Sequence, residues 1–324
     1  MTVSRVLRDA GYVSAGTRAR VLEAVRQLEY RPNPMVSAFM TYVRSGAMPR
    51  NAGVLAYLTS DHLGRSWRTH PPFVRFWNGA AARAAELGYK LEEFPLRQPG
   101  VSMARLSGIL YARGITGLIV APMSSAHAHL NLDWKKFSAV AIGYSLLKPA
   151  LPRVCNDQFS SILIAMRELW HLGYRRIGLA MPHSDDARVH YHWSAGYLSF
   201  YRRRGERRFP QPHLPEKWDF DAVIRWVRKE RIDAIVSTHI SMLERLTLLG
   251  VRIPEDVGLV NLDWSEELTS CASIDQRPEE IGEATVDLVV ERVNHNRLGI
   301  PDRQLTVNFP GVWRPGATVR RRNV

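Results

Sequence analysis

Residues 1–40 read MTVSRVLRDAGYVSAGTRARVLEAVRQLEYRPNPMVSAFM. Val3, Val6, Leu7 and Ala10 recur at i, i+3, i+4 and i+7, the period of one apolar helix face. Thr2, Ser4, Arg5 and Arg8 fall off that face and leave a short polar, basic surface. Gly11 interrupts the pattern. Ser14 is of the type that N-caps a helix, and Val21, Leu22, Val25 and Leu28 repeat the apolar stripe after it. Two short helices joined by a glycine-containing turn, with arginine on the solvent side of the first, have the form of a helix-turn-helix that enters a DNA groove.

The charge agrees with that reading. The 324-residue chain carries 44 Lys and Arg against 31 Asp and Glu, a net +13. Residues 1–50 hold Arg5, Arg8, Arg18, Arg20, Arg26, Arg31, Arg44 and Arg50 against Asp9, Glu23 and Glu29. Such a balance attracts polyanions, nucleic acid among them. With 45% apolar and 23% charged residues the chain has the composition of an ordinary globular protein, and its length suits about two domains. Cys155 and Cys271 are isolated, without metal-site spacing, and read as buried thiols in a reducing compartment. Neither a signal peptide nor an apolar run of about 18 residues is present, so the expectation is a cytoplasmic protein with no membrane association.

Beyond Tyr30 the prolines Pro32, Pro34 and Pro49 bracket a linker over 31–50, inside which residues 35–43 (MVSAFMTYV) allow two helical turns. From about residue 51 strands and helices alternate. VLAYLT, KLEEFPL, TGLIVAP and FSAVAIG read as strands of a first run. RRIGLAM, DAIVST, DVGLVNLD and a final QLTVNF read as strands of a second, with amphipathic helices between. Continuous apolar strands in βα units mean parallel sheets covered on both faces. Two such runs predict an α/β body of two lobes with a cleft between them.

The strings TVSRVL, VSAGTR and YRPN, in that order, resemble the headpiece of the lactose-repressor (LacI/GalR) family. Further along, RVCNDQ, LWHLGYRRIGLA (Tyr174 replacing a usual histidine), VRIPEDVGLVNLD and SIDQRPEEIGEAT resemble that family's effector-binding core. The resemblance implies a periplasmic-binding-protein-like two-lobe fold of parallel sheets over 51–324, crossing between lobes near 156 and again near 275. It implies a partial all-α headpiece over 1–30 and a hinge helix within 31–50. It further implies a homodimeric, ligand-responsive repressor of operator DNA, with Thr2, Ser4, Arg5, Arg8 and Asn33 at the DNA and Phe39 as a minor-groove wedge. Covering the edge of the next domain is the alternative role for Phe39. Because the string begins inside the recognition helix, a complete headpiece is expected to need roughly 15–20 residues before Met1. The rival reading is a two-lobe small-molecule binder that has lost sequence-specific DNA binding.

In the cleft, the resemblance places Phe73 where an aromatic ring stacks on the effector and Asp263 where a carboxylate accepts hydrogen bonds from its hydroxyls or ring nitrogens. A strand-end turn former is the alternative for Asp263. Three positions depart from the family: Trp193 stands for an arginine, Trp264 for an acidic or amide residue, and Thr238-His239 for an Asn-Asp pair. A cleft that loses an arginine and gains indoles suits a sugar-like stacking ligand over a strongly anionic one. Trp193 is thus an effector-contact candidate, with a core role as the alternative. The pairs His127/His129 and His190/His192 read as solvated or core histidines rather than metal ligands. With no HExxH, GxSxG, P-loop or GxGxxG, neither catalysis nor a cofactor is expected.

Overall fold

The computed structural model describes residues 3, 6, 13–27, 53–61 and 66–322. Thr2, Ser4, Arg5, Arg8, Asn33 and Phe39, and with them the expected DNA-reading surface and hinge helix, lie outside the described residues. The chain divides into two units, Met1–Ala52 and Gly53–Val324.

In the first unit helix α1 (Ala15–Gln27) starts where the sequence puts it. The Ser14 carbonyl accepts the N–H groups of Thr17 and Arg18 at 3.1 and 3.0 Å. Its hydroxyl donates to Thr17 Oγ1 at 2.9 Å instead of capping a backbone N–H. Val6 is buried and Val21 and Val25 are half-buried, whereas Val3 and Leu22 are exposed despite their places on the expected stripes.

The second unit contains two sheets. The first orders six parallel strands as β12-β7-β5-β3-β1-β2. They are β1 (Gly53–Thr59), β2 (Tyr89–Pro95), β3 (Gly117–Val120), β5 (Ser138–Ile142), β7 (Arg153–Asp157) and β12 (Thr306–Pro310). A small pair, β4 (Ala128–His129) with β6 (Leu146–Lys148), sits beside it. Helices α2 (Pro71–Glu86) and α3 (Met103–Ala112) belong to this lobe. Its strands read as continuous apolar runs because both faces are covered. Leu55, Tyr57, Ile119 and Val140 pack into one core cluster, while Ala56, Leu58, Leu118 and Ala139 pack into another.

The second sheet orders β13-β11-β10-β9-β8. These are β8 (Ile177–Leu179), β9 (Ala234–Ser237), β10 (Gly258–Asn261), β11 (Ala272–Asp275) and the antiparallel β13 (Val312–Arg314). Helices α4 (Gln158–His171), α5 (His183–Arg188), α6 (His192–Arg203), α7 (Phe220–Glu230) and α8 (Met242–Leu248) complete the second lobe. Helix α9 (Pro278–Asn294) follows β11 but packs on the first sheet through Ile281, Val286 and Val289. It meets α2 backbone to backbone. A Cβ on Gly79 would lie 2.1 Å from the Glu279 carbonyl oxygen, and one on Gly282 would lie 2.3 Å from that of Phe76.

The chain therefore passes between lobes at 157–158 and 275–278, and a third time at Gly311, between β12 and β13. The sequence reading ended on one strand and missed this passage. Asn156 ties the three together. Its Nδ2 donates to the carbonyls of Gln276 (3.2 Å) and Phe309 (3.0 Å), and its Oδ1 accepts the Ser161 hydroxyl at 2.7 Å. Ser161 is also where a Cβ on Gly311 would collide, at 2.5 Å.

Candidate functional site

The strand ends of the two lobes face a cleft of two connected chambers. The inner chamber, about 120 Å³, is walled by Phe73, Phe76, Ile142, Val154 and Ile281, with Gln158, Asp263 and Gln276 as polar points. The outer one, about 290 Å³, is lined by Asp185, Thr238, His239 and Ser265. Phe73, Arg188, Trp193 and Asp263 belong to both. All three effector-contact candidates thus line one cavity, with Phe73 on the first lobe and Trp193 and Asp263 on the second.

Local sequence explains each placement. Pro71 and Pro72 open α2, their fixed φ and missing N–H suiting its first turn, and Phe73 follows at the cleft rim. On the other lobe, His190 and Tyr191 both take left-handed backbone, φ 54° and 61°, in a tight kink between α5 and α6. Side chains of this kind rarely adopt that conformation without support. Asp186, fully buried, supplies it. Its carbonyl accepts the Tyr191 N–H at 2.8 Å and its Oδ1 accepts that of Ser194 at 3.2 Å. The kink directs Arg188 and Trp193 from successive helices to the same wall.

Asp263 follows β10. Its backbone N–H donates to Asn261 Oδ1 at 2.8 Å, while its carboxylate has no hydrogen-bond or ion-pair partner among the described residues. Desolvation pushes the carboxyl up to about 7, reinforced by Asp275 and Asp185 and opposed by the Arg75 guanidinium. Among the described residues the buried Trp193 Nε1–H has no partner, nor do Ser265 Oγ and His239 Nδ1. Buried polar groups normally find partners, so unsatisfied atoms grouped around one cavity mark where a polar ligand would complete the set.

Trp193 is 6% exposed, lining the cavity and also packing in the second-lobe core. The expected loss of a cleft arginine is corrected by Arg188. Five residues before Trp193, its guanidinium enters both chambers and donates to the carbonyls of Met123 (2.6 Å) and Ser124 (3.0 Å) on the first lobe. Burial holds its pKa below the ordinary value, opposed by Asp185. Asp185 accepts the Thr238 hydroxyl at 2.9 Å, and burial keeps its own pKa raised. His239, stacked on Trp218 at 5.2 Å, is held below the usual imidazole range by burial and is neutral at pH 7. Sequence reasoning marked Thr238-His239 only as a departure, and had no signal for Arg188 beyond its place in a charged kink.

Trp264 lies outside the chambers, its ring between the Arg75 guanidinium (4.9 Å) and that of Arg314 (5.3 Å). Arg75, on α2, also donates to the Trp264 carbonyl at 3.2 Å, to Glu279 at 2.6 Å and to Asp275 at 3.3 Å. His127 and His190 stack across the lobes at 6.4 Å. Among the described residues no group of three or more His, Cys, Asp or Glu is placed to hold a metal ion. No helix among them is long and apolar enough to cross a membrane.

A two-lobe α/β body with a ligand-sized cleft at its strand ends defines a binding protein of the periplasmic-binding-protein-like class. Residues 166–309 match the model of the periplasmic binding protein-like domain, and residues 1–33 match that of the lacI family of bacterial regulatory proteins. The chain belongs to the lacI family: it is a ligand-responsive, DNA-binding transcriptional regulator. Among curated relatives, the HTH-type transcriptional regulator MalR of Streptococcus pneumoniae is 21% identical over 91% of this chain and 89% of its own length. The HTH-type transcriptional repressor CytR of Escherichia coli is 22% identical over 93% and 88%. Among solved structures, a transcriptional regulator CelR–cellobiose complex aligns with a TM-score of 0.64 at 21% identity, covering 97% of this chain and 94% of that one. A Lac repressor dimer bound to operator and the anti-inducer ONPF aligns at 0.59 and 19%, covering 98% and 94%. At these identities the structural likeness speaks to the fold.

Proposed function

We propose that this chain is a cytoplasmic, homodimeric repressor whose effector is a neutral, polyhydroxylated ring compound, a sugar or glycoside, and that it is not an enzyme. The carrying observation is the Asp263 carboxylate, unpartnered among the described residues, in a cavity that Phe73 and Trp193 also line. Apolar walls take the faces of such a ring while the carboxylate, the indole N–H and Gln158 take its edge hydroxyls. The outer chamber, with Thr238, Ser265 and the neutral His239, has room for a second ring or an aglycone. Arg188 is already hydrogen-bonded to two carbonyls and its charge is partly offset by nearby Asp185, so it offers less to an anionic effector. Cellobiose and ribose, each bound in a related structure, are natural first probes.

Because the walls belong to different lobes, an effector that touches both favours one relative pose of the lobes over another. DNA affinity then changes by as much as the effector's affinity differs between the two poses. Thr2, Ser4, Arg5, Arg8 and Asn33 contact operator DNA in this reading, and Phe39 wedges into the minor groove. Calorimetry with a sugar panel, followed by DNA binding with and without the best ligand, tests it. A ligand that binds the cleft without altering DNA affinity would favour a plain binding protein. Binding of none of the neutral sugars, with tight binding of an anionic one, would overturn the effector assignment.

A further inference from the structure

The second lobe carries a concentration of charge that the cleft does not use. Arg202, Arg203, Arg204, Arg207 and Arg208 close α6 and run into the loop before Phe209, all of them exposed. Arg167 from α4 and Arg175 just beyond it, also exposed, stand alongside. The Arg175 guanidinium lies 4.5 Å from the centre of the Trp170 ring, and that of Arg204 lies 4.9 Å from the same ring and 4.0 Å from that of Phe200. Partial burial, then the like charges of Arg203, Arg167 and Arg175, hold the Arg204 pKa below its ordinary value. Among the described residues none of these seven arginines is in an ion pair, and the acidic residues of the two segments are Glu168 and Glu206.

Ordinary explanations cover only part of this. A helix C-terminus favours cations in its last turn, which accounts for Arg202 and Arg203. It does not account for Arg207 and Arg208 beyond Gly205, or for the α4 pair. Charge kept for solubility is usually of mixed sign. Here seven guanidiniums are gathered, some of them fixed on aromatic rings, with self-repulsion unrelieved.

We propose that this patch is a second docking surface for duplex DNA, one that grips the phosphodiester backbone without reading sequence. Guanidiniums held over aromatic rings are preorganised for phosphate oxygens. Their binding releases the counterions condensed on the duplex. A protein partner fits less well, because protein interfaces build their centres on apolar and aromatic anchors. None of the exposed large apolar side chains among the described residues falls within 158–176 or 197–209. The same lack leaves nothing to insert into a lipid surface. The regulator then holds nucleic acid in two ways, by a headpiece that reads bases and by a lobe surface that reads charge alone. The inference is independent of the effector assignment, since no effector enters the test.

The test uses the full chain and a fluorescein-labelled duplex of mixed sequence, with anisotropy titrations across about 50–200 mM salt. One variant carries Arg203→Gln, Arg204→Gln, Arg207→Gln and Arg208→Gln. A second keeps Arg204, and with it the packing on Trp170. A charge-matched control carries Arg97→Gln, Arg105→Gln, Arg228→Gln and Arg303→Gln, four arginines exposed elsewhere. Each lost phosphate contact removes about 0.9 from the slope of log affinity against log salt. The four-site variant should therefore lose about 2–4 from the slope, the three-site variant somewhat less, and the control under about 1. An unchanged slope in the folded three-site variant overturns the proposal, as does an equal loss in the control. So does intact duplex binding with lost binding to anionic vesicles or to polyglutamate.

Discussion

Replacing Asp263 with asparagine separates two consequences of one half-buried carboxyl that run in opposite directions with pH. Desolvation lifts its pKa to about 7, against about 3.9 in an unfolded chain. The folded state therefore prefers the neutral form. The stability this confers is fully present below about pH 4 and is lost as pH rises through about 7. The ligand-free protein should be less stable at pH 8 than at pH 6. In the proposed effector site, by contrast, ligand hydroxyls donate to the ionised form. About one molecule in ten is ionised at pH 6 and nine in ten at pH 8, so effector affinity should rise about ninefold between them, close to 1.3 kcal/mol. Asp263→Asn should flatten both profiles and weaken binding to the level of wild type at low pH or below. Calorimetry in buffers of matched ionic strength, paired with thermal unfolding without ligand, reads both. Effector binding that does not change between pH 6 and 8 in wild type would refute the reasoning, as would an asparagine variant that keeps the ninefold rise.

Other perturbations test the frame around that carboxyl. Gly282→Ala puts a methyl 2.3 Å from the Phe76 carbonyl oxygen and should cost about 1–3 kcal/mol in urea unfolding. Gly108→Ala on α3, where a Cβ meets nothing within 4 Å, should be neutral or stabilising by about 0.5–1 kcal/mol. Asn156→Ala leaves the Gln276 and Phe309 carbonyls and the Ser161 hydroxyl without this partner, and should lower stability by about 1–3 kcal/mol. It should also change how strongly effector shifts DNA affinity, a coupling that loss of stability alone would leave intact. Arg5→Ala should reduce operator affinity by about 1–3 kcal/mol and relax preference at one base pair. An equal loss on every sequence would instead mark Arg5 as a phosphate contact.

The two-lobe architecture was legible because burial on both faces makes β1, β3 and β5 nearly continuous apolar runs, broken only by Thr59 and Ser138 at strand ends, a pattern surface strands lack. Phe73 and Asp263 were marked through resemblance, since a lone phenylalanine in a helix's first turn and an aspartate after a strand carry no signature of a cleft. Arg188 was invisible because its position depends on a double left-handed kink at His190 and Tyr191, residues whose composition does not announce φ above zero. The passage at Gly311 was missed for a different reason. Residues 304–314 read QLTVNFPGVWR, and a single glycine separates strands that belong to different sheets. No periodicity records such a change of partner.

Those three passages also set the order in which the chain can finish its parts during synthesis. The second lobe is nearly contiguous, from α4 to β11, lacking only β13 and the segment after it. The first lobe is split. Its sheet waits for β12, and the face formed by Leu55, Tyr57, Ile119 and Val140 waits for α9, both of which leave the ribosome after the stretch from α4 to β11. The early half of the protein thus stays open while the later half closes. The cleft comes into being only when α9 docks against Gly79 and Asn156 finds the carbonyls of Gln276 and Phe309.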